Sequence, residues 1–422
     1  MMGKSRSVLP GSRRDRSAIT VQGFFPLLFA GMCWHWARWG IAFLSAFWIN
    51  EVTDSPRMVQ LTGTTMWAPL LFGGALGGVF ADRFDRLRTI QWQLAVLIPI
   101  VAVIGLLEVT EQLSIWMIYP FLMFAGIGWV GDMTSRRALV FEIVGTKKID
   151  NAMAYESFTL ASGVAVGNLI GGSVAQRLGI GEAFLVVSVL LLVGFISLKW
   201  VPRTSFTDVA APKTESSTVA ELKSGFALVR TNRALLSILG VTFLANFFLF
   251  SYFPAVQRIG DRIGASPSQI GLIAAMTGFG MMTGSFIIGM WEPKHRGRAY
   301  IGGVAFGMLM LMPFATSNSV PMAAGALFIA ATGSGFFGAT QSTLVLTTVG
   351  SDMRGRAMGL LSMAIGALPI GTFLLGEIAE IYGAPAAVVV MASTGLVLLI
   401  LWVSTHPELL AMGRSVDAAA TE

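Results

Sequence analysis

Arg38 stands in the middle of an otherwise apolar run, Cys33-Trp34-His35-Trp36-Ala37-Arg38-Trp39. On a helix, His35 and Trp34 lie three and four residues back, on the face of the guanidinium. A cation with five N–H donors among aromatic rings and an imidazole is suited to receiving an anion, either one from outside the chain or a carboxylate presented transiently by another segment. A structural arginine bonded to backbone carbonyls is the other reading of the same residues. Two acids, Glu156 and Asp132, sit near the ends of apolar runs. Each is either a solvated helix-end carboxylate or one that exchanges a proton as its access to water changes. His35 can also titrate near neutral pH, although a hydrogen-bonded neutral ring is the simpler expectation. Asn246 and Gln341 add uncharged polar groups in two further apolar runs, suited to ligand contact or to bonding one helix to another.

Other chemistries find no support. Cys33 is the single cysteine and can form no intramolecular disulfide, and the three histidines make no metal-ligand spacing. There is no nucleophile elbow and no phosphate loop, so neither an enzyme nor a metal or cofactor is expected. The formal charge of +6 comes from basic residues in short stretches between apolar runs, not from a hydrophilic basic domain, which argues against a nucleic-acid partner.

The elements that carry these residues follow from the composition. Of 422 residues, 54% are apolar and only 12% charged, too few for an ordinary water-facing surface. Lipid must be the solvent. A membrane-crossing helix needs about 20 mostly apolar residues. Such runs lie near 24–50, 58–81, 89–109, 114–135, 151–175 and 182–201, then near 234–256, 267–291, 299–316, 320–345, 356–380 and 384–404. Twelve spans put both ends of the chain on one side. Of the 29 lysines and arginines, 24 fall in the two tails and the even-numbered connections, which makes that side cytoplasmic. The basic N-terminal stretch precedes an apolar run too long for a signal-peptide core, so it is expected to be retained.

The chain divides into a basic tail (1–22), a six-helix bundle (23–201), a linker (202–233), a second six-helix bundle (234–405) and a tail (406–422). In the linker, Leu222, Phe226 and Val229 share one face at helical spacing and predict an interfacial amphipathic helix. Residues 139–171 align without gaps on 344–376, with nine identities in 33 positions that include Gly145/Gly350, Ser157/Ser362 and Gly171/Gly376. Both segments join the fourth and fifth helix of their halves, which predicts parallel repeats with a site between them at mid-membrane. Glu156 pairs with apolar Leu361 in this alignment, so the acid is no part of the repeated scaffold.

Three motifs give the architecture a family resemblance. After the second span comes Gly78-Val-Phe-Ala-Asp82-Arg83-Phe-Asp85-Arg86-Leu-Arg88. This resembles the loop signature of the major facilitator superfamily, with Asp85 in place of the usual second glycine, a variant similar to the branch of siderophore exporters and macrolide-efflux proteins. The resemblance implies a conformational latch of Gly78, Asp82, Arg83, Arg86 and Arg88 between helix ends. The fifth span carries Gly163, Gly167, Asn168, Gly171 and Gly172, resembling the antiporter motif of that superfamily with Asn168 where proline is usual. Glycines four apart let another backbone approach closely, and Asn168 is placed to bond across the contact. Asp352-Met-Arg354-Gly355-Arg356 and Asn151-Ala152 are also similar to the exporter branch. An arginine in the middle of the fourth span, typical of drug/proton antiporters, is absent; Leu122 stands nearest that place.

The resemblance implies an all-α membrane protein of the major facilitator fold, working as a monomer in the lipid of a bacterial inner (plasma) membrane. It would export a small molecule, a siderophore-like metabolite or a drug, in exchange for protons by alternating access. The substrate site would draw on Arg38, Trp34, His35, Asn246 and Gln341, with Glu156 and Asp132 as proton carriers. An uptake symporter or facilitator, or a non-transporting receptor on the same scaffold, remains an alternative.

Overall fold

The structure is a computed structural model that describes residues 17–72, 85–146, 148–202, 229, 231–291, 293–350 and 353–413. All regular structure among them is helical. The N-terminal half comprises α1 (Phe24–Val52), α2 (Pro56–Trp67, continued by a 3-10 turn over Ala68–Phe72), α3 (Arg86–Val109), α4 (Ile115–Val144), α5 (Ile149–Leu178) and α6 (Ile180–Ser197). The C-terminal half comprises α7 (Arg233–Arg262), α8 (Pro267–Trp291), α9 (Arg296–Ala315), α10 (Val320–Thr347), α11 (Arg354–Tyr382) and α12 (Ala384–Thr405), followed by a short α13 (Glu408–Ala411). Ten of these helices, α3 to α12, are long and apolar enough to cross a membrane. The 29-residue α1 and the α2 segment of Pro56–Phe72 stand outside that criterion among the described residues.

Local chemistry explains several boundaries. Ser55 caps α2, its Oγ accepting from the Met58 N–H at 3.3 Å, with Pro56 at the first helical position. Asp85, the residue that departs from the loop signature, is the N-cap of α3: its Oδ1 accepts from the Arg88 N–H at 2.7 Å. An aspartate there satisfies a helix-end donor that a glycine would leave to water. The α11 span breaks between Ile365 and Leu368, just before Pro369, because proline has no N–H to continue the ladder. Mid-span in α7, residues Ala245–Leu249 form a π turn.

Two expectations need correction. The fourth span does not stop near 135 but continues to Val144, so Arg136, counted with the loop charges, lies inside α4 and is buried. Asn168 does not bond across a helix contact; its Nδ2 donates to the Val164 carbonyl of its own helix at 2.6 Å. Of the latch, Gly78, Asp82 and Arg83 lie outside the described residues, as do Leu222 and Phe226 of the linker and Asp352. Arg86 is ion-paired with Glu142 of α4, and Arg88 serves through its backbone in the cap of α3.

The halves meet along two equivalent seams, α5 against α8 and α2 against α11. These are the pairs that the 205-residue repeat relates to one another. Small residues line the first seam. A Cβ added at Gly172 would lie 2.8 Å from the Gly271 Cα, and one at Gly271 would lie 2.7 Å from the Asn168 carbonyl oxygen. Such backbone contact is possible only where side chains are missing.

Candidate functional site

Gly172 packs α5 on α8, and the stripe of Gly163, Gly167 and Gly171 beside it sets the position of α1. A methyl group at Gly163 would sit 2.7 Å from the His35 Cβ; at Gly167 it would lie 2.5 Å from the Trp36 carbonyl oxygen and 2.7 Å from the Trp39 Cβ; at Gly171, 2.8 Å from the Phe43 ring. Trp36 Nε1 donates to Ser162 Oγ at 3.1 Å and adds a polar tie to the same contact. Helical spacing on α5 therefore holds His35, Trp39 and Phe43 at successive turns of α1 against one wall.

Arg38 projects from α1 toward α4 and is 2% exposed. Its guanidinium carbon lies 4.1 Å from the centroid of Trp129 on α4 and 5.2 Å from that of Trp39. It donates no hydrogen bond among the described residues, and its Nε is sealed from solvent without a partner. The rings that hold the cation are thus Trp39 and Trp129, not Trp34, which is fully buried in the core with its Nε1 unbonded. His35 is buried as well, and its Nδ1 has no partner, contrary to the expected hydrogen-bonded ring.

The two acids have different surroundings. Asp132 lies three turns inside α4, where Arg136 Nε donates to both its carboxylate oxygens at 3.1 and 3.0 Å and Arg136 Nη2 donates to Oδ1 at 2.6 Å. Arg136 Nη1 donates to the Leu27 carbonyl of α1 at 3.1 Å, and both side chains of the pair are almost fully buried. Asp132 is therefore committed. Glu156, two turns into α5 and 7% exposed, keeps Oε1 buried without a hydrogen bond while lying within electrostatic reach of Arg136, Asp132 and Arg137. Arg38 in turn feels Asp132, and His35 feels Arg38 and Arg136. Arg38, His35, Asp132, Arg136 and Glu156 make one buried polar cluster on α1, α4 and α5. Arg136 and Trp129 are the members that sequence reasoning missed. The signal available was the i, i+4 spacing of Asp132 and Arg136, with apolar residues continuing beyond them.

Asn246 and Gln341 belong to a second cluster, in the C-terminal half. Asn246 Nδ2 donates to the Thr242 carbonyl at 2.9 Å, and Gln341 Nε2 to Thr242 Oγ1 at 3.3 Å. The Tyr300 hydroxyl is 2.7 Å from the same Thr242 Oγ1 and donates to the Ile238 carbonyl at 3.2 Å. Both polar side chains are engaged within their own half.

Beside the Arg38 cluster the halves close on each other. Trp39 packs edge-on against Phe253 of α7, centroids 5.3 Å apart, and Trp67 of α2 meets the same ring at 5.6 Å. The internal space lined by Trp39, Phe43, Trp67, Asn168, Phe253 and Gln257 is about 30 Å³, room for a water or two and no more. At the end of the α2–α11 seam, Arg57 Nε pairs with Glu377 at 2.9 Å, while Glu380 Oε2 accepts from the Arg57 N–H at 2.9 Å and from Ser55 Oγ at 2.7 Å. The closed level lies toward the membrane face opposite the termini.

Solved structures share this fold. A bacterial homolog of the human lysosomal transporter Spinster, in an inward-facing and unoccupied conformation, matches with a TM-score of 0.70 at 16% identity, over 95% of this chain and 98% of that one. An auto-inhibited peptide transporter of the POT family matches at 0.71 with 12% identity, over 94% and 98%. In sequence, the uncharacterized MFS-type transporter YfiS of Bacillus subtilis (strain 168) is 25% identical over 332 residues, 76% of this chain and 77% of that protein. A putative metabolite transport protein of Haemophilus influenzae is 25% identical over 225 residues, 52% of this chain and 54% of its own length. The family model of the Major Facilitator Superfamily matches residues 27–262 and 238–416, nearly the whole of both halves. Two six-helix bundles joined by symmetry-equivalent seams, with a polar cluster beside the seam, are thus a membrane transporter's parts, and the chain belongs to the Major Facilitator Superfamily.

Proposed function

We propose that this transporter exports a small organic anion with an apolar or aromatic body, in exchange for protons, and that Arg38 receives the anionic group. The observation that carries the reading is a guanidinium held between two tryptophans with no hydrogen bond, although burying a cation is costly without partners. Cation–π contacts with the two rings occupy none of the N–H donors, which leaves them for a bidentate contact with a carboxylate. Asp132 is neutralised by Arg136, which leaves Glu156 as the cluster's acid with an unbonded oxygen and therefore as the proton carrier. Local charge alone makes a proton on Glu156 favour an anion at Arg38, the sign of co-transport, so exchange requires Glu156 to take its proton only in the arrangement of the halves that has released the anion.

Export is supported by the exporter-like loop variant with Asp85 and by the antiporter-like glycine stripe of α5. The excess of lysine and arginine on one side supports cytoplasmic termini, which makes the closed level the outer one. The substrate class resembles a siderophore-like metabolite or an acidic drug, with lipid around a monomer.

The test is transport in proteoliposomes, after metabolite and drug profiling of a deletion strain against its complemented parent has named a substrate. Arg38→Gln should weaken substrate binding by about 100-fold, and Arg38→Lys by roughly tenfold, because lysine keeps the charge and loses the planar fork. Parental binding and flux in Arg38→Gln would sink the assignment. Glu156→Gln should keep binding but uncouple flux from the pH gradient.

A further inference from the structure

On the C-terminal half, α8 and α9 both pack on α10 but scarcely touch one another. Between them runs a groove of about 930 Å³. Its long walls are apolar, with Met290, Trp291 and Phe306 well exposed. In a membrane protein such side chains face acyl chains, not water. Its end toward the face of the termini is basic, formed by Lys294, His295 and Arg298 at the α8–α9 connection. Arg298 Nε donates to the Leu410 carbonyl of α13 at 3.2 Å, which fixes the guanidinium at the groove's edge. No acidic side chain lines the groove among the described residues; Glu292, in the same connection, lies outside them.

Glycines shape the interior. A Cβ at Gly303 would meet the Gly333 carbonyl oxygen at 2.5 Å, so α9 and α10 are in backbone contact and form the floor. A Cβ at Gly302 would meet nothing within 4 Å, so this glycine opens onto the groove itself. An apolar channel that ends in a basic edge at the level where α8 ends and α9 begins has the polarity of one phospholipid: acyl chain inward, phosphate at the surface. A second copy of this chain would bring the same basic edge with it and lacks that complementarity.

We propose that this groove binds an anionic phospholipid of the surrounding leaflet, with its phosphate on Lys294 and Arg298 and an acyl chain along Gly302 and Phe306. The site is independent of the Arg38 cluster, which belongs to the other half. It also has a route to transport, because α8 carries Gly271 and the rest of the seam against α5. A lipid that holds the end of α8 stabilises whichever arrangement of the halves keeps the groove open.

Purified protein in detergent would be titrated with phosphatidylglycerol, with phosphatidylcholine of the same acyl chains, and with glycerol 3-phosphate, and retained ligand counted by native mass spectrometry. The parent should hold phosphatidylglycerol about tenfold more tightly than phosphatidylcholine, and glycerol 3-phosphate should not displace it at equal concentration. Gly302→Leu fills the groove without meeting a neighbour, and should reduce phosphatidylglycerol retention by about tenfold or more while melting normally. Lys294→Gln should reduce it roughly fivefold and leave phosphatidylcholine unaffected; it decides the matter should the leucine variant melt early. Equal retention of the two lipids by the parent, unchanged retention in both variants, or displacement by glycerol 3-phosphate would overturn the proposal.

Discussion

Replacing Asp132 with asparagine would strand Arg136 as a buried cation whose remaining bond goes to the Leu27 carbonyl. Three N–H···O contacts of 2.6 to 3.1 Å now neutralise it, between side chains 3% and 2% exposed. Removing one partner of such a pair costs about 3–5 kcal/mol, because the surviving charge keeps its desolvation penalty. Removing both charges, as Asp132→Asn with Arg136→Gln, should return the protein to within about 1–2 kcal/mol of the parent. Glu156→Gln, by contrast, takes away a carboxylate whose buried oxygen makes no hydrogen bond, and should cost less than about 1 kcal/mol. Reversible SDS-induced unfolding, followed through the fluorescence of the 11 tryptophans, measures all four proteins. A double variant no more stable than Asp132→Asn would show that the pair is not the unit described here. A Glu156→Gln penalty as large as that of Asp132→Asn would remove the distinction between a committed acid and an available one.

Two further outcomes follow from the helix contacts. Gly167→Ala places a methyl 2.5 Å from the Trp36 carbonyl oxygen and should cost about 1–3 kcal/mol by overpacking, whereas Gly338→Ala, which meets nothing within 4 Å, should be neutral in the same unfolding measurement. Glu380→Gln weakens the link of Ser55 and Arg57 to α11; the groups are exposed, so the loss is about 0.5–1 kcal/mol, and spin labels across the α2–α11 seam should report a two- to fivefold larger population of the separated state, with no change refuting a role in closure.

Much of the architecture was legible because a hydrocarbon solvent forces every span into an apolar helix, and run length plus charge placement then fixes their number. The repeat was legible for a related reason: α5 and α11 both pack tightly on neighbours, and Gly171 and Gly376 each stand where another helix approaches, Phe43 of α1 for the first and Gln60 of α2 for the second. The site was legible only within single helices. Arg38 stands out because a cation in mid-span is rare, but its partner Trp129 is 91 positions away, and nothing in local periodicity connects the two. Arg136 was misplaced because a charge after an apolar run reads as the end of the run; pairing with Asp132 one turn earlier lets the helix carry both charges onward to Val144. Trp34 was assigned to Arg38 from spacing alone, yet the arginine's long side chain reaches toward α4, where Trp129 offers its face. Asn246 and Gln341 looked like two separate polar residues until folding brought both to Thr242.

Trp39 connects the polar cluster to the closure of the halves. Its ring lies 5.2 Å from the Arg38 guanidinium carbon and 5.3 Å, edge-on, from the ring of Phe253 in the opposite half, while Gly167 pins its backbone. A cation–π contact of this kind is worth about 0.5–2 kcal/mol. A ligand that draws the guanidinium away from Trp39, or presses it closer, changes that contact, and can shift the balance between closed and separated halves by no more than the difference. A shift of 1–2 kcal/mol is a factor of roughly 5–30 in population, enough to make opening depend on occupancy without any long chain of intermediaries. The glycines of α5 bear on this coupling because a methyl at Gly167 would sit 2.5 Å from the Trp36 carbonyl oxygen and 2.7 Å from the Trp39 Cβ, so α1 has little room to shift on α5 and a displaced guanidinium would act on the Trp39 ring rather than on its backbone.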